Sequence, residues 1–195
     1  MSQSDRNYRL TIKVSDSNVI VIEPPMGVVF DAAKSAAGFG LNTMNVAIFS
    51  VAESERLAIV KDPEQSKRIP ITLEVGYGDN LELIYKGTVH RGVIGRRGPE
   101  IIVSLECIDG GFDAFNSFTS RTVKGRGSAL EKIISDMPNT TIGKITIQDD
   151  SIRPHVIVGA SFNELAKYVN PGEQFFVDNE KIYIMKESEV VSMFA

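Results

Sequence analysis

The chain has 195 residues, 43% of them hydrophobic and 24% charged, and its 21 basic and 25 acidic side chains give a formal net charge of −4. This composition indicates a folded protein of one or two domains and argues against a protein whose main task is to bind nucleic acid through its phosphates. One cysteine and two histidines exclude an internal disulfide and leave little room for a metal centre, so we expect no metal and no cofactor. No apolar run approaches the ~18 residues that span a bilayer, and the first residues lack the apolar stretch of a secretory signal, so we expect no membrane anchor.

Alternating apolar and polar residues dominate the chain up to about residue 110, which is the pattern of half-buried β-strands. In the clearest example, Tyr8, Leu10, Ile12 and Val14 share one face. Strands are predicted over residues 8–14, 19–22, 26–31, 42–49, 71–77, 81–90 and 101–108. The stretch 52–60 is rich in helix formers, so it is predicted to form a short helix on the sheet.

Turn residues separate these strands. Gly78-Asp79-Asn80 predicts a tight hairpin, and the stretch from Gly95 to Pro99 predicts a second turn. Because only one helix is predicted and strands do not alternate with helices, residues 1–110 are predicted to form a small, mostly antiparallel β-barrel or sandwich. Cys107 lies on the apolar face of its strand, so a buried structural thiol is favoured over a reactive one.

The pattern changes after Asp109 and Gly110. Two Ser-x-x-Glu capping boxes, which begin at Ser128 and Ser161, predict amphipathic helices over 128–137 and 161–169. Strands are predicted over 142–147, 155–158, 174–177 and 181–185, and the last two form a hairpin. Residues 111–195 are therefore predicted to form a small α+β domain with two short helices and a hairpin, which begins in a polar stretch around residues 110–127. The predicted fold class is mainly β with α+β.

The sequence lacks the motifs of the common hydrolases, metalloproteases and nucleotide-binding enzymes, so we expect no catalytic residues and no enzyme activity. The glycine-bearing stretch 124–128 is compatible with anion binding at a helix N-terminus, but a flexible linker is favoured. His155 is interpreted as a structural, hydrogen-bonded histidine. The pair Asp149-Asp150 lacks the further ligands of a calcium loop.

Basic side chains are the remaining candidates for a binding role. Five of them are taken as a candidate protein interface: Arg91, Arg96, Arg97, Lys124 and Arg126. Charged hairpin tips are usually only solvated, and that simpler interpretation is favoured for the arginines of residues 91–97 when the residues are considered alone. The functional hypothesis is that these side chains face acidic partner proteins rather than DNA.

Three segments follow one another in a distinctive order. An asparagine precedes the alternating strand 43–50, Gly76-Tyr77-Gly78 ends another strand, and an apolar-aromatic-x-Gly-x-Val segment at 84–89 leads to an apolar strand that ends in Asp109-Gly110. This order, together with the two later helices, resembles the hub proteins of phage tail baseplates and related contractile-injection machines, the group of the T4 hub and the late control protein D. The residues that carry the resemblance are Phe30, Asn42, Phe49, Gly76, Tyr77, Gly87, Asp109, Gly110, Ser128 and Ser161.

The resemblance implies a ring at the end of the tail tube, in which barrel-type domains continue the inner wall and a central spike docks below. A homotrimer is favoured and a homohexamer is the alternative. The implied partners are the tail tube, the spike and other baseplate proteins, and DNA passes through the ring without being bound specifically. The implied location is the tail baseplate of the virion, after synthesis in the bacterial host cytoplasm. Family members are commonly longer, so the resemblance implies a short or split hub.

A monomeric β-domain that binds peptide or glycan is the alternative function. Such a binding module needs a concave site with aromatic or polar side chains. An aromatic content of 8% and the lack of tryptophan weaken this alternative.

Overall fold

A computed structural model describes residues 6–35, 40–60, 67–146 and 153–193. The predicted strand 142–147 extends past the described residues, and Asp149-Asp150 lies outside them. The protein is mainly β with short helices, which confirms the predicted fold class. The described chain divides into two compact units: an N-terminal unit of residues 6–33, 43–60 and 67–109, and a C-terminal unit of residues 34–35, 40–42, 110–146 and 153–193.

The N-terminal unit contains the strands β1 (Arg6–Ser15), β2 (Asn18–Ile22), β3 (Val28–Ala33), β4 (Thr43–Phe49), β5 (Pro70–Tyr77), β6 (Asn80–Arg97) and β7 (Glu100–Ile108), with helix α1 (Glu53–Val60) between β4 and β5. The strands form one antiparallel sheet in the order β2-β1-β5-β6-β7-β4-β3. Every predicted strand of this unit is present.

The alternation of the sequence decides which face of this sheet is buried. Leu10 and Ile12 of β1 lie in the same core as Ile20 of the edge strand β2, and Met44 and Leu105 complete it from β4 and β7. The sheet therefore curves around one apolar interior. Its edge strands β2 and β3 do not pair with each other within the described residues, so the unit is closer to an open barrel than to a two-layer sandwich.

Strand β6 is longer than predicted. The stretch from Gly95 to Arg97 was expected to belong to a turn, but Arg96 pairs with Ile101 and Arg97 pairs with Glu100. The turn is limited to residues 98 and 99, where Gly98 has a φ of +62°. Polar residues occur here because both faces of the end of the hairpin are exposed to solvent, so alternation disappears although the strand continues.

Within the described residues the C-terminal unit contains four helices and five strands, in the order α2 (Gly111–Asn116), β8 (Phe118–Lys124), α3 (Arg126–Ser135), β9 (Thr141–Ile145), β10 (Pro154–Ala160), α4 (Ser161–Ala166), β11 (Glu173–Asp178), β12 (Lys181–Lys186) and α5 (Glu187–Met193). Strands β8 and β10 form an antiparallel ribbon, and β11, β12 and β9 form a second sheet in which β12 and β9 are parallel. Apolar side chains of α3, α4 and both sheets form its core, among them Leu130, Ile157, Leu165 and Ile184.

The polar stretch 110–127, where the domain boundary was predicted, contains two elements that were not predicted, α2 and β8, and residues 126–128, interpreted as part of a flexible linker, belong to α3. Strand β8 escapes prediction because only Thr119 on its inner face is fully buried, while Phe118, Ser120 and Thr122 are exposed. A strand with one solvated face and a polar inner residue lacks the apolar alternation that marks the other strands.

Both predicted capping boxes are wrong. Helix α3 begins at Arg126 with Gly125 as its N-cap, so Ser128 lies inside the first turn and is exposed. Helix α4 begins at Ser161 itself, and its N-cap Ala160 makes no side-chain cap. The Ser161 hydroxyl is buried and lies 2.9 Å from the Thr119 hydroxyl, so it joins α4 to β8 instead of capping the helix.

Candidate interaction surfaces

Three of the predicted interface residues lie along the β6–β7 hairpin and are exposed. Arg91 lies opposite Glu106 on β7, with 3.9 Å between guanidinium and carboxylate, and both side chains are more than half exposed. Arg96 donates from Nε to the Gly98 carbonyl at 3.1 Å, which holds its side chain over the turn. Arg97 is exposed at the end of β6. The hairpin therefore presents cationic groups at its end.

The other two predicted interface residues have different environments. Lys124 is exposed at the end of β8. Arg126 is buried: its Nε donates to the Tyr168 carbonyl at 2.7 Å, and its guanidinium is paired with the Glu173 carboxylate. Arg126 is therefore not an interface residue, because its donors hold the chain after α4 against the start of α3.

The N-terminal unit has a cleft that the sequence analysis did not predict. Its volume is about 850 Å³, and the rings of Tyr8, Phe30 and Tyr77 line it together with the charged side chains of Arg6 and Glu82. The Tyr8 hydroxyl donates to the Met26 carbonyl, while the Tyr77 side chain is 55% exposed. These residues come from β1, β3, β5 and β6, so their meeting depends on the order of strands in the sheet rather than on a local motif.

Position 76 requires glycine because two backbone segments of the β5–β6 hairpin lie very close together there. A Cβ atom at this position would overlap the backbone carbonyl oxygen of Asn80. Only glycine allows that approach without a shift of the backbone. The Gly76-Tyr77 motif thus has a physical reason: the glycine lets the β5–β6 hairpin close tightly, and Tyr77 follows it on the wall of the cleft.

Asn42 also has a defined structural role. Its buried amide donates to the Val177 carbonyl at 2.8 Å, and its side-chain oxygen accepts from the Ser35 amide at 2.8 Å. Lys34 forms an ion pair of 2.6 Å with Asp178. These contacts attach the residues on either side of 36–39 to the β11–β12 hairpin of the C-terminal unit.

The remaining residues that carried the family resemblance lie in strands or next to the ends of helices and strands. Phe30 and Phe49 lie on the neighbouring strands β3 and β4, Gly87 lies in the interior of β6, and Asp109 is completely buried. Gly110 has a φ of +67° and forms the N-cap of α2, a backbone conformation that favours glycine.

Chemically reactive groups do not gather in the described residues. Cys107 is 1% exposed, and burial raises the pKa of its thiol to about 12, which confirms the prediction of a buried structural cysteine. The ring of His155 packs edge-on against Tyr168 at 5.3 Å, and its Nε2 has no hydrogen-bond partner among the described residues, contrary to the expected hydrogen-bonded histidine. Across the same residues no group of three or more His, Cys, Asp or Glu side chains could hold a metal ion. No helix of the described chain is long and apolar enough to cross a membrane.

No family model and no curated protein matches this chain. Solved structures do. The 43 kDa tail protein of prophage MuSo2 from Shewanella oneidensis is similar over 91% of this chain and 54% of its own, with 12% identity and a TM-score of 0.59. The tail protein from Neisseria meningitidis MC58 is similar over 91% of this chain and 50% of its own, with 15% identity and a TM-score of 0.50. A chain of the Francisella PdpA-VgrG complex is similar over 97% of this chain and 30% of its own, with 9% identity and a TM-score of 0.52.

The chain spans about half the length of these two tail proteins. Identities of 9–15% establish a shared fold rather than a shared activity. The two tail proteins cover both units described above, since each similarity extends over 91% of the chain. The protein therefore has a fold that also occurs in phage tail proteins.

Proposed function

We propose that this protein is a structural component of a phage tail or contractile-injection baseplate, where copies of it form a ring-shaped hub that joins the tail tube to the central spike. The observation that carries the proposal is the similarity in fold to two tail proteins over 91% of the chain. The motif order of the sequence supports the same role independently. The proposed location is the tail of the virion.

The surface of the N-terminal unit supports a role in binding other proteins. Arg96 and Arg97 are exposed at the end of the β6–β7 hairpin, beyond the part of β7 that pairs with β4, while Arg91 is exposed farther along β6, opposite Glu106. Exposed cationic groups at one place favour oriented association with acidic surfaces, and such contacts weaken as salt rises. In the proposed role they meet acidic side chains of the tube, baseplate or spike.

The experiment that tests the role is a measurement of mass in solution by light scattering, with the chain alone and after co-expression with the proteins encoded beside it. The proposed role predicts a trimer or a hexamer, alone or in complex with tail proteins. A chain that remains monomeric and copurifies with none of them would contradict it.

The cleft lined by Tyr8, Phe30 and Tyr77 favours a second candidate, a monomeric module that binds peptide or glycan. Three aromatic rings beside Arg6 and Glu82 give the apolar lining and the few polar groups that small ligand sites use. Peptide and glycan arrays test this candidate, with Tyr77→Ala as the matched variant. Two results together would favour the module over the hub. The chain would bind an array ligand that Tyr77→Ala no longer binds, and it would be a monomer that does not bind tail proteins.

A further inference from the structure

The end of the β6–β7 hairpin extends beyond the other strands of its sheet. The pairing of β4 with β7 ends at Phe49 and Ile102, and β5 pairs with β6 only as far as Thr88. Beyond these positions β6 and β7 pair only with each other within the described residues. Residues 96–100, all exposed, form this end of the hairpin and are called the hairpin tip.

The hairpin tip carries two opposite charges and a proline. Arg97 and Glu100 lie directly opposite each other in the ladder, so their side chains project from the same face. Neither side chain forms an ion pair within the part of the chain that the structure describes. Pro99 lies between them in the turn and is exposed. The hairpin tip therefore offers a base, an acid and an apolar ring within four consecutive residues.

The cleft of the N-terminal unit has matching features. Arg6 and Glu82 are both exposed among its lining residues, and neither forms an ion pair with another described residue. The rings of Tyr8, Phe30 and Tyr77 supply the apolar part of its wall. Grooves lined by aromatic rings are common docking places for prolines. The cleft thus matches a segment that carries one acid, one base and a proline.

The cleft and the hairpin tip lie at opposite ends of the same strand. Strand β6 is 18 residues long, and its first residues line the cleft whereas its last ones belong to the hairpin tip. At about 3.3 Å per residue, up to about 60 Å separate the two ends of the strand. One copy cannot place its own hairpin tip in its own cleft, so a tip that fills the cleft comes from another molecule.

We infer that the hairpin tip of a second copy of this chain docks into this cleft. Arg97 of the second copy pairs with Glu82, and Glu100 of the second copy pairs with Arg6, while the proline packs against the aromatic wall. The two charges of the cleft lie on β1 and β6 with β5 between them, about 10 Å apart across the sheet. Those of the hairpin tip lie on neighbouring strands, about 5 Å apart, and the long arginine side chains span the difference.

Each copy gives its hairpin tip to one neighbour and receives the tip of another, which is a head-to-tail contact. Such contacts between identical subunits form a ring when the rotation closes. The inference deepens the proposed hub and rests on it for the closure of the ring, whereas the contact itself does not depend on a tail. In the ring, the acidic baseplate surface that Arg97 meets is the next copy, and Arg91 and Arg96 remain available to other tail proteins.

Sedimentation velocity of the full chain over a range of concentrations tests this contact. We expect reversible association that continues beyond the dimer. Glu82→Arg and Arg97→Glu should each raise the dissociation constant at least about tenfold, because each places like charges opposite each other. The double variant reverses both members of the pair, so it should recover the association that each single variant loses.

Glu131→Arg is the matched control, because it makes the same charge reversal at an exposed position of α3 in the C-terminal unit and should leave the constant unchanged. Far-ultraviolet circular dichroism checks that all variants are folded. Three results would overturn the inference: a monomer at every concentration, as a peptide- or glycan-binding module would be, a largest species that is a dimer, or a double variant that associates as weakly as the single ones.

The same measurements separate this contact from the proposed role. A trimer or hexamer that Glu82→Arg leaves intact would support the hub and contradict the contact between hairpin tip and cleft. Association that the double variant recovers, by a chain that binds no tail protein, would support the contact and contradict the role in a tail.

Discussion

At the scale of single residues, buried polar side chains fix the C-terminal unit. The Asp113 carboxylate of α2 is 1% exposed and accepts from the Asn139 amide at 2.7 Å, the Asn139 side chain at 2.7 Å and the Thr140 hydroxyl at 2.8 Å. Each donor lies after α3, so one carboxylate fixes α2 against the segment that leads into β9. A buried polar group whose hydrogen bonds are all formed favours one arrangement of the elements around it, which matters here because the apolar faces of these short helices are small.

The buried hydroxyl of Ser161 leads to the first prediction. Ser161→Ala should lower the free energy of unfolding by about 1–2 kcal/mol, because it removes the buried hydrogen bond between the Ser161 and Thr119 hydroxyls in a site with 0% exposure. Ser128→Ala is the control: Ser128 is exposed inside α3, so the change should lie within about 0.5 kcal/mol of zero. Urea denaturation measures both. An equal loss of unfolding free energy in the two variants would contradict this explanation and indicate that both serines cap their helices.

The ion pair of Asp136 and Arg121 leads to a prediction about pH. A hydrogen bond from the Arg121 guanidinium, with Nε 2.9 Å from Oδ2, holds the pKa of Asp136 below its ordinary value of 3.8. A lowered pKa in the folded state stabilises the fold above the ordinary value, and this contribution is lost as the pH falls through the folded-state pKa. Asp136→Asn should therefore lower the melting temperature at pH 7 and lose that difference at an acidic pH below the folded-state pKa of Asp136. Asp79→Asn, in an exposed turn, should change neither value, and a constant deficit of Asp136→Asn at both pH values would refute the ionic explanation.

At the scale of elements, prediction from the sequence succeeded where one face of a strand is apolar. The strands of the N-terminal unit alternate over a single core, so their periodicity alone reveals them. It failed where polar contacts replace apolar ones: β8 buries Thr119 instead of an aliphatic residue, and β6 continues to Arg97 with both faces exposed.

The cleft could not be predicted, because Tyr8, Phe30 and Tyr77 come together only through the strand order. Arg126 was misjudged because its partner Glu173 is 47 residues away.

The tight β5–β6 hairpin leads to a prediction about one element. Gly76→Ala should destabilise the protein by more than about 2 kcal/mol, because the new Cβ would overlap the Asn80 carbonyl and the backbone has to move. Gly95→Ala is the matched control in β6, where a Cβ meets nothing within 4 Å, and it should be neutral or slightly stabilising. Thermal denaturation compares them. Equal stability of the two variants would show that the hairpin is not closed as described.

At the scale of the whole molecule, the proposed ring lets DNA pass without holding it. A wall that bound phosphate strongly would slow translocation, because contacts from Lys and Arg add up quickly. The net charge of −4 agrees with weak binding. In the proposed assembly the arginines at the end of the β6–β7 hairpin face acidic proteins instead of the lumen.

Charge reversal at the end of that hairpin tests the arrangement. The double variant Arg96→Glu, Arg97→Glu should weaken assembly with tail partners in a salt-dependent manner, since it inverts two exposed charges. Binding to duplex DNA should stay negligible in both proteins. Affinity for DNA tighter than about 10⁻⁶ M at physiological salt, lost in the double variant, would instead indicate a nucleic-acid-binding domain. Lys181→Glu, at an exposed position on β12 outside the candidate interface, is the control for a general effect of charge.

The proposed role requires that copies of the chain form a ring at the end of a tail tube. Electron cryomicroscopy of particles purified after co-expression with the tube and spike proteins tests it most directly. Class averages should show three-fold or six-fold symmetry, with this chain between tube and spike. Tubes and spikes that join without the chain, or particles in which it occurs only as a monomer away from the axis, would contradict it.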